Sequence, residues 1–554
     1  MDDCRLHTFG TGYFTCALFA GLALAPLPAR AQSAGIPLEG IAEVLVASAQ
    51  LQCGALALLR TLSIDEALTA LYQANRFAPL WQDAARLAAL QRELRELVDD
   101  GLVLADYAAA LAATPARDTC AELRLSSVYL LAIEQLSQGR LDLPAIEPRW
   151  QAATLPQPAA SEVIDLAQRG VQDLRAAFDA ARPSLPLYRE LRAAFAHMHQ
   201  SPAARQPIPA GPTLLPGASD ARVAQIAQRL REENFLDDAA PVPAATYSPE
   251  LQRAVEFFQE YRGLEIDGRV GPQTLAALNR APAQALLQVR VNLERMRWLD
   301  AQGDADLLLV NVAGGDMRLY QAGKIVWRSR VLTGQPARPT PLLVSRIDRI
   351  TLNPSWTVPP TILKEDKLPQ IRADLGFLAD NELQVLDYAG NPVDPAQVDW
   401  TNPVGILLRQ APGPRNPLGA LAFRMASPFS VYLHDTPARD LFTKELSNIS
   451  SGCIRVEDAE GLAEQLLAGR SSQERAEIAR LRVDGATHEV YLPEGPRLII
   501  AYWTAEAARD GRVKFFRDPY ALDSTLINAF ESTRAANAAA LSDASAAVAM
   551  ECHR

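Results

Sequence analysis

Near residue 307 the chain changes its period. Before that point, residues 40–200 are rich in Ala and Leu at helical spacing and carry little strand character. After it come Leu307–Val312, Asp316–Tyr320, Ile325–Leu332 and Leu342–Leu352, short apolar runs that read as strands. Helices collected in one half and strands in the other argue against an alternating α/β chain and predict a multidomain α+β protein. The 554 residues suggest three or four domains, and a 49% hydrophobic content is ample for separate cores.

Several boundaries are readable. Tyr13 to Ala25 is a short apolar run followed by Pro26, Pro28 and Ala29-Arg30-Ala31, which reads as a signal peptide over 1–31 with cleavage before Gln32. Asp2 and Asp3 offset Arg5, so an uncleaved inner-membrane anchor stays open as the alternative; either way the remainder is expected in the periplasm. A helical scaffold is expected over 40–200, with Tyr72, Phe77 and Trp81 as packing residues and His197 and His199 on the surface. Residues 201–220, with five prolines, read as a linker. Over 221–282 three short helices are expected, the last opened by Gly271-Pro272 after a tight turn at Asp267-Gly268. A mostly-β domain follows over 305–505, interrupted at about 359–407 by a polar, helix-like insertion, with Val490–Leu492 and Arg497–Trp503 as closing strands. Residues 530–554 are an Ala-rich tail expected to be loose or disordered.

The net charge of -11 leaves no basic footprint for nucleic acid. Outside the leader, Cys53, Cys120, Cys453 and Cys552 remain; Cys53 and Cys120 are available to pair, which their separation in sequence does not decide. No metal-ligand spacing occurs, so no metal site is expected.

The stretch that carries chemistry is Ser450-Ser451-Gly452-Cys453-Ile454-Arg455, whose Cys453 lies nineteen positions after His434. A thiol attacks as its thiolate and is mostly protonated at neutral pH, with a pKa of about 8.5, unless an imidazole or cation assists. His434 and Arg455 are candidates for that assistance. Gly452 permits close backbone approach, and the amides of Gly452 and Cys453 are candidate oxyanion donors. Phe429–His434 alternates like a half-buried strand, placing Tyr432 and His434 on one face. The apolar stripe from Ala459 to Leu467 predicts a helix just after Cys453. By spacing alone, however, a lone cysteine reads equally well as a small buried residue and a lone histidine as a structural one.

These motifs resemble the L,D-transpeptidase catalytic domain, the YkuD type of cysteine enzyme that cross-links peptidoglycan, in its large periplasmic branch. Gly334–Pro341 resembles the family's early Gly-x-Pro and Thr-Pro segment and Asn416-Pro417-Leu418-Gly419 its Asn-Pro-Leu-Gly turn, with His434 and Cys453 following in order. Asp435 and Ser451 stand where many smaller members carry glycine and histidine. Val255–Phe258, Gly263-Leu264, Asp267-Gly268 and Ala277-Leu278-Asn279 resemble a peptidoglycan-binding three-helix module, and the Leu71–Trp81 and Gly139–Leu141 phrases a large-branch scaffold domain.

The resemblance implies Cys453 as nucleophile and His434 as general base and acid, with Ser450, Gly452, Arg455 and Tyr432 around the substrate and the insertion as a lid beside Trp356. It implies ping-pong acyl transfer between two stem peptides, linking diaminopimelate to diaminopimelate through a thioester, without any cofactor, and acylation of Cys453 by carbapenems. Expected partners are a tetrapeptide donor and an acceptor stem, with other cell-wall synthesis proteins left open, and the chain is expected to be a monomer. Transfer to water (a carboxypeptidase), transfer to a protein lysine (a tethering enzyme) and a non-catalytic wall-binding scaffold remain as alternatives.

Overall fold

In a computed structural model, residues 40–54, 56–57, 59–142, 146, 160–199, 205–299, 306–443 and 447–532 are described. The expected leader over 1–31 and nearly all of the expected tail over 530–554 lie outside them.

The scaffold is built from amphipathic helices around Thr119–Gln138. Asp83, Asp118 and Asp173 cap three helices by accepting the amides of Ala85, Ala121 and Ala176, satisfying donors that a helix start leaves unpaired. Tyr72 and Trp81 are fully buried, whereas Phe77 is partly exposed. Inside this core Glu122 accepts Tyr72 Oη at 2.8 Å and the Trp81 amide at 3.1 Å, so the buried carboxyl is hydrogen-bonded, as burial requires. Cys53 and Cys120 form a disulfide that closes a 67-residue separation. His197 and His199 are exposed.

The next unit contains Val223–Glu232, Pro249–Tyr261 and Pro272–Leu278, the last with Gly271 at its N-cap. Gln259 holds the turn between the second and third helices: its amide donates to Asp267 Oδ1 at 2.8 Å and Thr274 Oγ1 at 3.1 Å and accepts the Gly268 amide at 2.9 Å. Gly268 sits at φ 65°, where glycine avoids the side-chain strain. The proline-rich stretch is not a free linker from Arg205 onward. Ile208 and Leu214 are buried, Leu214 bridges to Val270, and Ile208 exchanges hydrogen bonds with Asn279.

A helix absent from the sequence reading, Pro282–Arg297, then crosses the molecule. It buries Glu294, Arg295 and Arg297, each with a partner: Arg297 pairs with Glu294 at 2.8 Å and Arg295 with Asp523 at 2.5 Å, while Glu294 accepts the Leu141 amide at 2.6 Å. Removing one partner would leave an uncompensated buried charge, at about 3–5 kcal/mol.

The strands begin with β1 (Asp306–Asn311), β2 (Asp316–Gln321), β3 (Lys324–Gly334) and β4 (Leu343–Leu352). Next come β5 (Trp356–Thr357), β6 (Leu383–Asp387), β7 (Ile406–Gln410), β8 (Leu421–Met425) and β9 (Leu433–His434). Then follow β10 (Asn448–Ser450), β11 (Ile454–Val456), β12 (His488–Tyr491) and β13 (Arg497–Ala501). The main sheet runs β10-β3-β11-β9-β8-β4-β13-β1-β2, and β2 also pairs with the first half of the long β3, so the sheet closes on itself. Period-two alternation gives it two buried faces. Leu308 and Val310 join the inner core with Leu433 and Ile454, while Leu307 and Leu309 meet Val289, Leu293 and Met296 of the crossing helix. Each such side chain contributes about 1.5–3 kcal/mol by burial, so the strand-rich half is held to the helical half by apolar contact.

The insertion is mixed rather than helical. Leu368–Ala373 and Gly376–Asp380 pack on a three-stranded sheet, β5-β7-β6, around Val358, Ile371, Val385 and Leu408. Its strands are five residues or shorter, and a turn at Gly390 follows β6, so no alternation runs long enough to declare itself. At the C-terminal end a helix over 522–532 packs Leu526 and Phe530 into the outer core.

Candidate active site

Strand β11 lies between β3, antiparallel, and β9, parallel, with Ile454 opposite Leu433 and Arg455 opposite His434. Alternation sends Ile454, Val456 and Leu433 into the core, all fully buried. It turns Cys453, Arg455, Tyr432 and His434 the other way, into one cavity of about 500 Å³. The amide of Ile454 donates to the Tyr432 carbonyl at 3.2 Å, which fixes this register. Only Leu433 and His434 of the expected six-residue run are strand, because Ser430 adopts φ 52°, yet Tyr432 and His434 still face the same way, their rings 5.8 Å apart.

His434 Nδ1 bonds the backbone carbonyl of Asp435 at 2.5 Å. A carbonyl can only accept, so Nδ1 carries the proton and Nε2 is left as the acceptor. The Asp435 carboxylate is turned away: Oδ2 accepts the Ala420 amide at 2.9 Å and Oδ1 pairs with Arg439 at 2.5 Å. Gly419 must be glycine for this, since a Cβ there would meet Asp435 Oδ2 at 2.3 Å. Asn416 is fully buried and donates to the carbonyls of Pro354 at 2.9 Å and Ala411 at 3.0 Å, so the Asn-Pro-Leu-Gly turn ties together the two ends of the insertion.

The cysteine loop is shaped by Ser450, whose hydroxyl accepts the Gly452 amide at 3.1 Å and donates to the Cys453 carbonyl at 2.5 Å. The Gly452 amide is therefore occupied, contrary to its expected role as an oxyanion donor. Gly452 instead supplies the backbone angle, at φ 113°. The Cys453 amide makes no hydrogen bond among the described residues and remains as the candidate donor. Thr340 Oγ1 donates to the Gly452 carbonyl and accepts the Gly334 amide, both at 2.8 Å, and Tyr520 Oη clamps the same turn through the Gly334 carbonyl at 2.6 Å. The Gly334–Pro341 segment thus serves as the seat of the cysteine loop.

Burial dominates the electrostatics. It pushes the Cys453 thiol above its ordinary range, with Arg424 and Arg455 pulling weakly the other way. Burial also holds His434 down to about 3, helped by the same two cations. Both groups therefore rest neutral rather than as an ion pair. Tyr432 is pushed up to about 12 by burial and by the neighbouring thiol, and Arg424 lies over its ring at 4.1 Å. Arg455 has no ion pair or hydrogen bond among the described residues, and its guanidinium is lowered by burial. Trp356, Pro359 and Ile362 of the insertion line the same cavity from above. Sequence reasoning missed Arg424 and Tyr520 here; nothing local marks them, because their roles come from strand pairing and chain return. Among the described residues no group of His, Cys, Asp and Glu is gathered as a metal site.

A cysteine and an imidazole sharing a β-sheet cleft are the groups that thiol acyl transfer requires. Residues 305–478 match the YkuD family, the L,D-transpeptidase catalytic domain; residues 66–195 match a scaffold domain family and residues 219–278 a peptidoglycan binding domain family. The chain carries a YkuD L,D-transpeptidase catalytic domain beside a peptidoglycan-binding domain. A Haemophilus influenzae protein named as an L,D-transpeptidase is 32% identical over 239 residues, covering 43% of this chain and 48% of that protein. The chain thus matches about half the length of that relative. Among solved structures, an L,D-transpeptidase from Mycobacterium smegmatis shares 14% identity over 36% of this chain and 59% of that one, with a TM-score of 0.17. Another, from Xylanimonas cellulosilytica, shares 15% over 53% and 98%, with a TM-score of 0.16.

Proposed function

We propose that the protein is a cysteine-dependent L,D-transpeptidase that links diaminopimelate to diaminopimelate in peptidoglycan through a thioester. The observation that carries this reading is the cavity in which Cys453, His434 and Arg455, unpaired among the described residues, meet, with His434 Nδ1 held by the Asp435 carbonyl so that Nε2 is left as base. In the first half-reaction Cys453 Sγ attacks the diaminopimelate carbonyl of a tetrapeptide stem while His434 Nε2 takes the thiol proton. The oxyanion faces the Cys453 amide, and Arg455 offers a charge-assisted donor to substrate. The bond to the terminal D-alanine then breaks, and His434 returns its proton to the departing amine. In the second half-reaction His434 deprotonates the side-chain amine of another stem, which displaces the thiol and leaves the cross-link. Because both groups rest neutral, the proton moves as the attack occurs.

The peptidoglycan-binding domain supports a wall-directed, exported protein. Among the described residues no helix is long and apolar enough to cross a membrane. A cleaved leader over 1–31 and a periplasmic location belong to this proposal. The reading is tested by intact-mass analysis after rapid quenching with a disaccharide-tetrapeptide donor. It requires an acyl adduct on the wild-type protein that is absent from Cys453→Ala; an adduct that persists in Cys453→Ala refutes it.

A further inference from the structure

A second cavity, of about 190 Å³, sits where the scaffold, the peptidoglycan-binding domain and the catalytic half converge. Its walls bring together Arg205, Arg262, Arg280 and Arg512 against two carboxylates, Glu232 and Glu233. Both carboxylates are already engaged. Glu233 pairs with Arg205 at 2.5 Å and with Arg262, and Glu232 lies 3.6 Å from Arg205 and 3.4 Å from Arg229. Asp523, which acts on Arg280 from farther away, is held by Arg295 at 2.5 Å.

Arg280 has no ion pair among the described residues. It lies over the Phe515 ring at 4.9 Å and donates to the Gln284 carbonyl at 3.1 Å. Burial and the neighbouring Arg262 cation hold its guanidinium down to about 10. Arg512 stacks on Phe257 at 4.7 Å and its Nε lies 3.4 Å from Asp510 Oδ2, while its Nη1 is buried without a hydrogen-bond partner among the described residues. A half-buried guanidinium without a carboxylate partner among the described residues, as at Arg280, and a buried guanidinium N–H without an acceptor, as at Arg512 Nη1, are costly unless an anion completes them.

We propose that this three-way junction is a binding site for a small oxyanion, a carboxylate or phosphate group, held by Arg280 and Arg512. The size limits the occupant to an end group: the volume equals that of about six water molecules, below the roughly 300 Å³ at which pockets for whole drug-sized ligands begin. The planar guanidinium fork suits a carboxylate or phosphate, and the Phe515 and Phe235 rings accommodate a short apolar stem behind it. A bound anion would tie Arg280 of the peptidoglycan-binding domain to Arg512 of the catalytic half, so occupancy at this point would couple wall contact to the arrangement of the two units.

The test uses the full-length protein in thermal unfolding and calorimetric titration, with inorganic phosphate and N-acetyl-D-alanine as separate probes, N-acetyl-D-alaninamide as the uncharged control and chloride at matched ionic strength. For a site of about 1 mM affinity, either oxyanion at about 10 mM raises Tm by a few degrees. Neither the amide nor chloride does so. Arg280→Gln weakens the binding at least tenfold, and without added oxyanion it is no less stable than wild type, because a cation is relieved. Arg512→Gln provides the same comparison if Arg280→Gln misfolds. A response to N-acetyl-D-alanine alone assigns a stem-peptide carboxylate as the natural occupant, and a response to phosphate alone assigns a phosphate. No response to either probe, or an equal response in Arg280→Gln, overturns the proposal.

Discussion

Arg338 and Asp366 face each other across the mouth of the cleft, guanidinium to carboxylate at 2.7 Å, and the same guanidinium reaches Ser451 Oγ at 3.0 Å. One side chain from the Gly334–Pro341 turn thereby latches the insertion to the residue two positions before Cys453, with Glu365 joining at 2.6 Å.

Because Glu365 and Asp366 are 53% and 40% exposed, the latch is worth no more than about 1 kcal/mol despite its fork geometry. Arg338→Ala is expected to raise hydrogen exchange across 360–373 by up to about fivefold while Tm stays within about 2 °C. High salt should reproduce the effect in wild type, since the carboxylates are solvent-screened. Unchanged exchange in both arms would remove the latch from the account.

The neutral resting pair makes a signed statement about pH. An ordinary imidazole, with a pKa of about 6.5, would lose about 25-fold of its free base between pH 7 and pH 5. His434, held down to about 3, stays unprotonated across that range. On the reading that carbapenems acylate Cys453, the rate of that acylation, followed by intact mass, should therefore fall less than about twofold from pH 7 to pH 5. In parallel, the raised thiol predicts slow alkylation by iodoacetamide at neutral pH, accelerating only above about pH 8.5. A steep acid limb centred near 6.5 would contradict the burial argument.

Arg455 is unpaired among the described residues and faces the cavity, so its removal should affect substrate more than fold. Arg455→Ala is expected to lower kcat/KM for a tetrapeptide donor by about 10–100-fold, the equivalent of one charge-assisted hydrogen bond of about 1.5–3 kcal/mol. Arg455→Lys should recover part of that loss. Tm should barely move in either variant.

The Cys53–Cys120 disulfide constrains the unfolded scaffold across a separation of 67 residues. Replacing both by serine is expected to destabilise the scaffold by about 2–4 kcal/mol, read as a lower denaturant midpoint. Cys453 should keep its rate of alkylation by iodoacetamide under conditions where the variant is folded.

The strand texture after residue 307, the three-helix module and the Cys453–His434 constellation were legible because each rests on a local pattern: alternation, turn residues or motif order. Pro282–Arg297 was not, because its inward face carries Glu294, Arg295 and Arg297, and pairing that reaches Leu141 and Asp523 makes a charged face a buried one. The sheet in the insertion escaped for lack of length. In the site itself, the partner of His434 is a backbone carbonyl and the Gly452 amide is taken by Ser450, and neither fact has a side-chain signature. Arg338 and Tyr520 reach the site from 115 residues before Cys453 and 67 after it, distances that only the folded chain closes.

The central claim is that the thioester on Cys453 passes to an amine of a second stem. Mass analysis of muropeptides after incubating purified wild-type protein with tetrapeptide-rich peptidoglycan tests it most directly. The account predicts dimers linked through two diaminopimelate residues, absent with Cys453→Ala and with His434→Ala. Trimmed tripeptides without such dimers would contradict it, making water rather than a second stem the acceptor.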